Sequence, residues 1–355
     1  EAVKNTKVVF LSATPFKAHF NLRYANGFLF DWGNETTYEQ ASRVQSRVDA
    51  ESRFYLENFS AAYDWRYHRL EKRSDANPDA IAMQEIAFAE KLMQDGVMSG
   101  RALESDNDYS REFPKVSGFN SEAFNKAFND IFNFETNEFS GLREAAREVF
   151  FNYNYSTQLF ESLKTSMSIP RIEKHLNLGR KVVVFHRRKQ AETTPPFETI
   201  YRTAKINAQM ILGDDNSRAE DKEKAAETLE QAEKFKTRYR DLFEYEQQLD
   251  YRSTIEQIES AFPGRVGYIN GDVTPKKKNE AIKNFNTDGS DIDIIVVQEE
   301  AGKEGISLHD TTGKAQRVLM SMSMPISTTT ALQVEGRIYR LGQETDAVIE
   351  YPLLG

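Results

Sequence analysis

The feature that most constrains this chain is a repeated one: a short, continuous apolar run that ends in a polar loop. "GRKVVVFHRRK" (Gly179 to Lys189) and "DIDIIVVQEEAGKEG" (Asp291 to Gly305) show it clearly, "KVVFLSATPF" (Lys7 to Phe16) shares it, and "QRVLMSMSMP" (Gln316 to Pro325) is a weaker case. Such runs are β-branched, too short for core helices and too continuous for a sheet with one wet face. They read as strands buried on both sides. Helix-like segments lie between them, as in "PKKKNEAIKNFN" after the "GYINGD" strand. Strands alternating with helices predict a parallel α/β sheet, whose ligands gather at the loops leaving the strands' carboxyl ends.

Two long stretches break the alternation. From about Asn34 the sequence turns aromatic with a helical period; in "FNKAFNDIF", Phe124, Phe128 and Ile131 recur at i, i+4 and i+7. This predicts a helical insertion with its own core. From about Ala191 to Asp250, Ala225, Leu229, Ala232, Phe235, Tyr239, Leu242, Tyr245 and Leu249 recur every three or four positions. That spacing predicts one long charged amphipathic helix or half of a hairpin, preceded by "AETTPPFETI", read as a linker from its prolines. With 355 residues and 39% hydrophobic side chains, the chain has apolar mass for about two or three domains.

A net charge of -9 gives no global field toward nucleic acid or membrane, so any polyanion site must be a local basic patch. The absence of cysteine excludes disulfides and thiolate zinc sites, and five scattered histidines make a poor metal cluster; no metal site is expected. No apolar run reaches the ~20 residues of a membrane helix, and the start lacks a signal-peptide pattern. A cytoplasmic setting is expected, or a nuclear one in a eukaryote. The chain opens almost directly on a strand, as a piece of a longer polypeptide would.

Three motifs carry chemistry. In "VVQEEAGKEGISLHD", Gly302 and Gly305 leave the backbone bare while Lys303, Ser307 and His309 supply polar tips; the loop is a phosphate or sugar contact, or only a tight turn. In "YINGDVTPKKKNEAIKNFN", Gly271 precedes Lys278 on a lysine-rich helix start, which is a basic patch or only a solvated end. In "QVEGRIYRLGQ", Arg337 and Arg340 fall on one face if helical. Such a pair can clamp a transferring phosphoryl group, or form surface pairs with Glu335 or Glu344.

In this order the pieces resemble motifs III to VI of superfamily-two helicases and translocases. "LSATP" (Leu11 to Pro15) resembles motif III, "KVVVFHRR" motif IV, and "QVEGRIYRLGQ" motif VI in its Swi/Snf-type form. The stretch from "GISLHD" to "EGRIYR" looks still more like the strawberry-notch type. The likeness spans Lys7 to Phe16, about Ile169 to Lys189, and Phe262 to the end. It implies a RecA-like parallel sheet flanked by helices, with large all-α insertions. Residues 1–33 would end a first RecA-like lobe, 34–168 would be a helical insertion, 169–190 with 251–355 the second lobe, and 191–250 a charged helical arm inserted in it.

The same resemblance assigns roles. Gln333, Arg337 and Arg340 would face ATP phosphates, with Arg340 as arginine finger. Glu304, Gly305, Ser307 and Gly336 would line the nucleotide edge. Ser12, Ala13 and Thr14 would couple hydrolysis to movement between lobes. His186, Arg187, Arg188, Gly271, Lys278, Gly302 and Lys303 would contact the nucleic-acid backbone, electrostatically and with little sequence preference. The implied partners are ATP, Mg2+, a first RecA-like lobe in the same polypeptide or another subunit, and DNA rather than RNA. Members usually carry arginine where Lys278 stands, and many carry Asp or Asn where Ser307 stands. The sequence holds no G-x-x-x-x-G-K-[ST] phosphate loop and no strand followed by an Asp-Glu pair. These 355 residues alone are therefore expected not to hydrolyse ATP. Tyr63, Trp65 and Tyr67, with Arg66, His68 and Arg69, are a base-stacking candidate or an aromatic core with a basic face. The competing class is a non-catalytic, helicase-derived structural or interaction module.

Overall fold

The computed structural model describes residues 22–355 except 28, 34–36, 42–43, 49, 65–68, 71–76, 100–106, 189–193, 303–304 and 326, and without side chains for 37–48, 63–64 and 69–70. The motif III residues Ser12, Ala13 and Thr14, the loop residues Lys303 and Glu304, and the stacking candidates from Tyr63 to Arg69 thus lie outside the described residues or side chains. The chain divides into two compact units, Glu1–Leu103 and Glu104–Gly355.

In the first unit, β1 (Thr37–Ala41) and β2 (Val44–Val48) form an antiparallel hairpin, followed by α1 (Ala50–Phe59), the short pair β3 (Tyr63–Asp64) and β4 (Arg69–Leu70), and α2 (Pro78–Gln94). Asn77 caps α2 through its side chain and Pro78 occupies the first turn, where its missing N–H is harmless. Leu22, Tyr55, Phe59, Phe88 and Leu92 make a small aromatic core, in which the Phe30 and Phe54 rings stack at 4.7 Å.

The second unit contains β5 (Tyr109–Glu112), β6 (Lys115–Val116), α3 (Ser121–Ile131), α4 (Arg143–Phe150), α5 (Tyr153–Asn177), β7 (Lys181–His186), α6 (Pro196–Gly213), α7 (Ala219–Arg238), α8 (Arg240–Glu246) and α9 (Thr254–Ala261). It continues through β8 (Val266–Ile269), α10 (Pro275–Asn286), β9 (Ile294–Gln298), α11 (Glu299–Gly302), β10 (Arg317–Ser321), α12 (Thr328–Glu335), β11 (Ala347–Glu350) and β12 (Leu353–Leu354). Six of the strands form one sheet in the order β5-β11-β10-β7-β9-β8, and every neighbouring pair is parallel. This is the parallel α/β sheet flanked by helices that the alternation of strands and helices predicts.

The period of two along β7 divides its residues between two cores. Val183 and Phe185 face the side covered by Phe285, Val334 and Ile338, while Val182 and Val184 face Ile172 of α5 and Ile258 of α9. Each such fully buried side chain stabilises the sheet by about 1.5–3 kcal/mol.

The stretch 34–168 is distributed over several places: β5 adds to the main sheet, α3 and α4 enter a helical cluster, and α5 packs against α9 and the sheet. The cluster joins sequence-distant helices in one core, with Phe124, Ile131, Phe139 and Leu142 meeting Phe197, Ile200, Phe235 and Leu242. The 191–250 stretch is not one helix either. α6 and α7 form a hairpin, and α7 stops at Tyr239, whose hydroxyl reaches Asp130 at 2.5 Å and holds the chain in a turn before α8. The two prolines read as a linker instead open α6, with Pro196 in its first turn.

Glu246, at the end of α8, is buried and accepts the amides of Phe197 (3.2 Å) and Glu198 (3.4 Å) at the start of α6. Burial pushes its carboxyl up to about 8 against the pull of those amides. Its folded pKa therefore lies above its unfolded value near 4.5, so its contribution is fully present below that value and is lost as pH rises toward 8. Urea unfolding at successive pH values should show stability falling across this window, with a flatter curve for Glu246→Gln; parallel curves would contradict the assignment.

Candidate functional site

α12 is started by Ser327, whose hydroxyl accepts the Thr330 amide at 3.2 Å, and it ends at Gly336. A Cβ at Gly336 would stand 3.0 Å from the Leu332 carbonyl oxygen, which suits glycine at that end. The chain then continues through tight turns, with the Arg337 amide bonded to Val334 and the Tyr339 amide to Glu335. Arg337 and Arg340 are therefore not on one regular helix face. They converge nonetheless, because Ile338 between them is buried in the core and fixes the turn.

The convergence point is the segment after the glycine loop. Arg337 Nη1 donates to the Ile306 carbonyl at 3.1 Å and Arg340 Nη1 to the same oxygen at 3.2 Å. Arg340 Nη1 also meets Ser307 Oγ at 2.5 Å, and Arg337 Nε binds the Gln333 carbonyl at 2.8 Å. The Leu308 amide returns a bond to the Arg337 carbonyl at 2.9 Å. Gly305, exposed and left-handed at φ +71, makes the turn that delivers Ile306 and Ser307. Gln333, Gly336, Arg337, Arg340, Gly305 and Ser307 thus occupy one place.

Two guanidinium groups sharing one carbonyl repel each other in a partly desolvated setting. Burial, then the charges of Arg340 and Arg317, push the nearby His309 imidazole below its ordinary pKa, so it adds no third charge. Glu335 does not neutralise the pair. It is buried and takes a two-pronged bond from Arg111, Nε to Oε1 at 2.9 Å and Nη2 to Oε2 at 2.6 Å, and a third from the Tyr351 hydroxyl at 2.8 Å.

The residues after β7 sit elsewhere, at the carboxyl ends of the strands. His186 is only 1% exposed, its Nδ1 donates to the Arg188 carbonyl at 2.9 Å, and its Nε2 is enclosed with no hydrogen-bond partner among the described residues. A ring so enclosed cannot touch a phosphate without rearrangement. Arg187 is committed on all sides: Nε to Glu299 at 2.8 Å, Nη1 to the Tyr153 hydroxyl at 2.9 Å, and Nη2 to the Met324 carbonyl at 2.9 Å. Arg188 lies over the Tyr153 ring at 5.8 Å and binds Asn154 at 2.6 Å. Lys278 Nζ donates to the Ala301 carbonyl at 3.1 Å, tying α10 to α11. Gly271 is exposed, its amide 3.3 Å from Gln298 Oε1.

Gly302 answers a packing need rather than a ligand. A Cβ there would stand 2.2 Å from Val297 Cγ1 and 3.1 Å from the Phe185 ring.

Sequence reasoning did not single out Glu161. Buried on α5, it accepts the amides of Arg187 (3.1 Å) and Arg188 (3.2 Å) and a short bond from the Ser323 hydroxyl, and it lies 3.5 Å from His186 Nδ1. Burial alone would raise its pKa, but His186, Ser323 and the Arg187 amide outweigh that and hold it below the usual range. Its only sequence signal is a charge within a helix whose neighbours Leu159 and Leu163 are core. Among the described residues no group of three or more acidic or histidine side chains is placed to hold a metal.

No protein-family model and no curated protein matches this chain. Solved structures that it resembles include the C-terminal part of the Fun30 ATPase domain, 14% identical over 70% of this chain and 86% of that one, with a TM-score of 0.31. The Sulfolobus solfataricus SWI2/SNF2 ATPase core domain is 13% identical over 84% of this chain and 49% of its own, at 0.32. The RNA helicase Prp28 from Chaetomium thermophilum bound to ADP is 14% identical over 53% of this chain, at 0.28, and this chain spans only 30% of its length. Likenesses of that size leave the fold assignment to the sheet topology itself.

The contrast between two glycines is testable. Gly302→Ala should cost ~1–3 kcal/mol through overpacking, whereas Gly271→Ala, which opens on empty space, should change stability by less than ~0.5 kcal/mol. Equal shifts in the urea midpoint would contradict the packing role of Gly302.

Proposed function

We propose that this chain is the carboxyl-terminal part of an ATP-dependent nucleic-acid helicase or translocase, with the arginine turn facing the nucleotide's phosphates. The observation that carries the reading is the convergence of Arg337 and Arg340 on Ile306 and Ser307, two motifs far apart in sequence brought to one place. Among the described contacts only Nη1 of the Arg340 guanidinium is engaged, so Nε and Nη2 fit an anionic oxygen. Bound ATP would supply the transferable phosphoryl group, and Mg2+ would offset its negative charge. Both would be held mainly by a phosphate loop and acidic pair on another lobe, in the same polypeptide or a partner subunit. Arg340 then stabilises charge on the phosphoryl oxygens, and Arg337 with Gln333 orients it. Gly305, Ser307 and Gly336 let the two segments approach.

For nucleic acid, the likeness of "QVEGRIYRLGQ" to the motif of Swi/Snf-type DNA motors is the ground for taking DNA rather than RNA as the track. Among the described side chains, Arg188, Gly271 and Lys278 remain candidates for backbone contact, because Arg187 is internally committed and His186 enclosed, and Lys303 lies outside the described residues. Those commitments also favour a second reading, a helicase-derived module that does not turn over ATP and serves as an interaction part of an assembly.

ATPase assays on the parent polypeptide, with and without single- and double-stranded DNA and RNA, separate the two. In the motor reading Arg340→Ala lowers kcat ~10³-fold or more while ATP affinity changes little. Undiminished turnover by the variant, or no nucleic-acid-stimulated turnover in the wild type, would sink it.

A further inference from the structure

Strand β5 is unusual for a member of this sheet. Its four residues are half-buried or exposed, so it adds little to either core. Its distinctive contacts run instead to the arginine turn. Arg111 forks onto Glu335, the last residue of α12. The Tyr109 ring packs on Tyr339, between the two arginines, with centroids 4.6 Å apart. The Gln343 side chain accepts the Arg340 amide at 3.0 Å and donates to the Asp108 carbonyl at 3.3 Å, while Asn107 Nδ2 donates to the Gln343 carbonyl at 2.8 Å.

Positions 335, 339 and 343 are thus held by the 107–111 segment, and positions 337 and 340, which alternate with them, reach Ile306. The register that sets this, Tyr109 opposite Ala347 and Arg111 opposite Ile349, places both side chains on the α12 face of the sheet. Ser110 and Glu112 point to the other face, where Glu112 meets Arg171 at 3.3 Å.

We propose that the Asn107–Arg111 segment is the positioning element of the arginine turn, with Arg111, Tyr109 and Gln343 acting through the backbone of residues 335–343 to fix where Arg337 and Arg340 point. Turns carrying two mutually repelling guanidinium groups, outside any regular helix, relax apart unless something else sets their backbone. Arg111 performs this through a planar fork, which a lysine cannot reproduce. This rests on the proposed phosphate-facing role of Arg340 for its catalytic consequence, but not for its structural one.

Two measurements test it. In the parent polypeptide, Arg111→Ala, Tyr109→Ala and Gln343→Ala should each lower kcat ~10- to 100-fold with the Kd for ATP unchanged. Arg111→Lys should restore little, Ser110→Ala should behave as wild type, and none should add to the loss in an Arg340→Ala background. Amide exchange on the 355-residue chain supplies a readout free of activity: the Arg340 and Gln343 amides should exchange ~10-fold faster in Gln343→Ala and Tyr109→Ala, with the urea midpoint near wild type. If Arg340→Ala abolishes turnover while the β5 variants do not lower it, the brace is refuted and the motor reading stands. If Arg340→Ala has no effect, the motor reading fails. Unchanged exchange at Arg340 and Gln343 overturns the brace in either case, including where Arg111→Ala does not fold.

Discussion

A parallel sheet has no wet face. Its crossover connections put helices on both sides, so every central strand must be apolar in both directions, and every polar group that enters must arrive with a partner. β7, β9 and β10 meet the first condition with runs of valine, isoleucine and leucine. Polar residues at the rims meet the second. Glu350, wholly buried in β11, takes Arg171 at 2.5 Å and His175 at 3.0 Å from α5, and Lys181 donates to the carbonyls of Phe285 (2.6 Å) and Thr287 (2.9 Å). Removing one partner from such a pair leaves an uncompensated buried charge, which fixes the helices to the sheet in one register.

The arginine turn is built against the loop segment Gly305 to Leu308, through Ile306, Ser307 and the Leu308 amide. The turn itself is irregular: a helix end, two short turns and a left-handed Gly342 at φ +87. Its side chains are placed by what lies on either side, Ile306 and Ser307 on one and the β5 segment on the other. At the strands' carboxyl ends, Glu161 does similar work for the loops after β7 and β10. Both clusters use a buried carboxylate to hold arginine-bearing loops, Glu335 in one and Glu161 in the other.

The sheet was legible because burial on both faces leaves a mark within five or six consecutive residues. The arginine turn was legible for a related reason, since Gly336, Arg337, Arg340 and Gly342 are close in sequence and chemically distinctive. What escaped depends on distance. Nothing local ties Arg111 to Glu335 or Glu161 to Arg187, and the pairing of α3 and α4 with α6 and α7 follows from shape rather than spacing. The prolines at 195 and 196 read as a linker but open α6, because the same residue ends a loop and begins a helix. His186, Arg187 and Gly302 carry residue types that suit a ligand equally well as a core, and only their neighbours decide. The side chains of His186 and Arg187 are spent inside the protein, and Gly302 is where no side chain would fit.

The proposed orientation of the arginine turn toward a nucleotide's phosphates can be measured directly. The most direct measurement is photolabelling of the parent polypeptide with an ATP analogue carrying the reactive group on its γ-phosphate, followed by mapping of the labelled peptides. The account predicts label on the peptides containing Ile306–Ser307 and Gln333–Gln343, competed by ATP. Label confined to other parts of the polypeptide, with ATP competition intact, would contradict it.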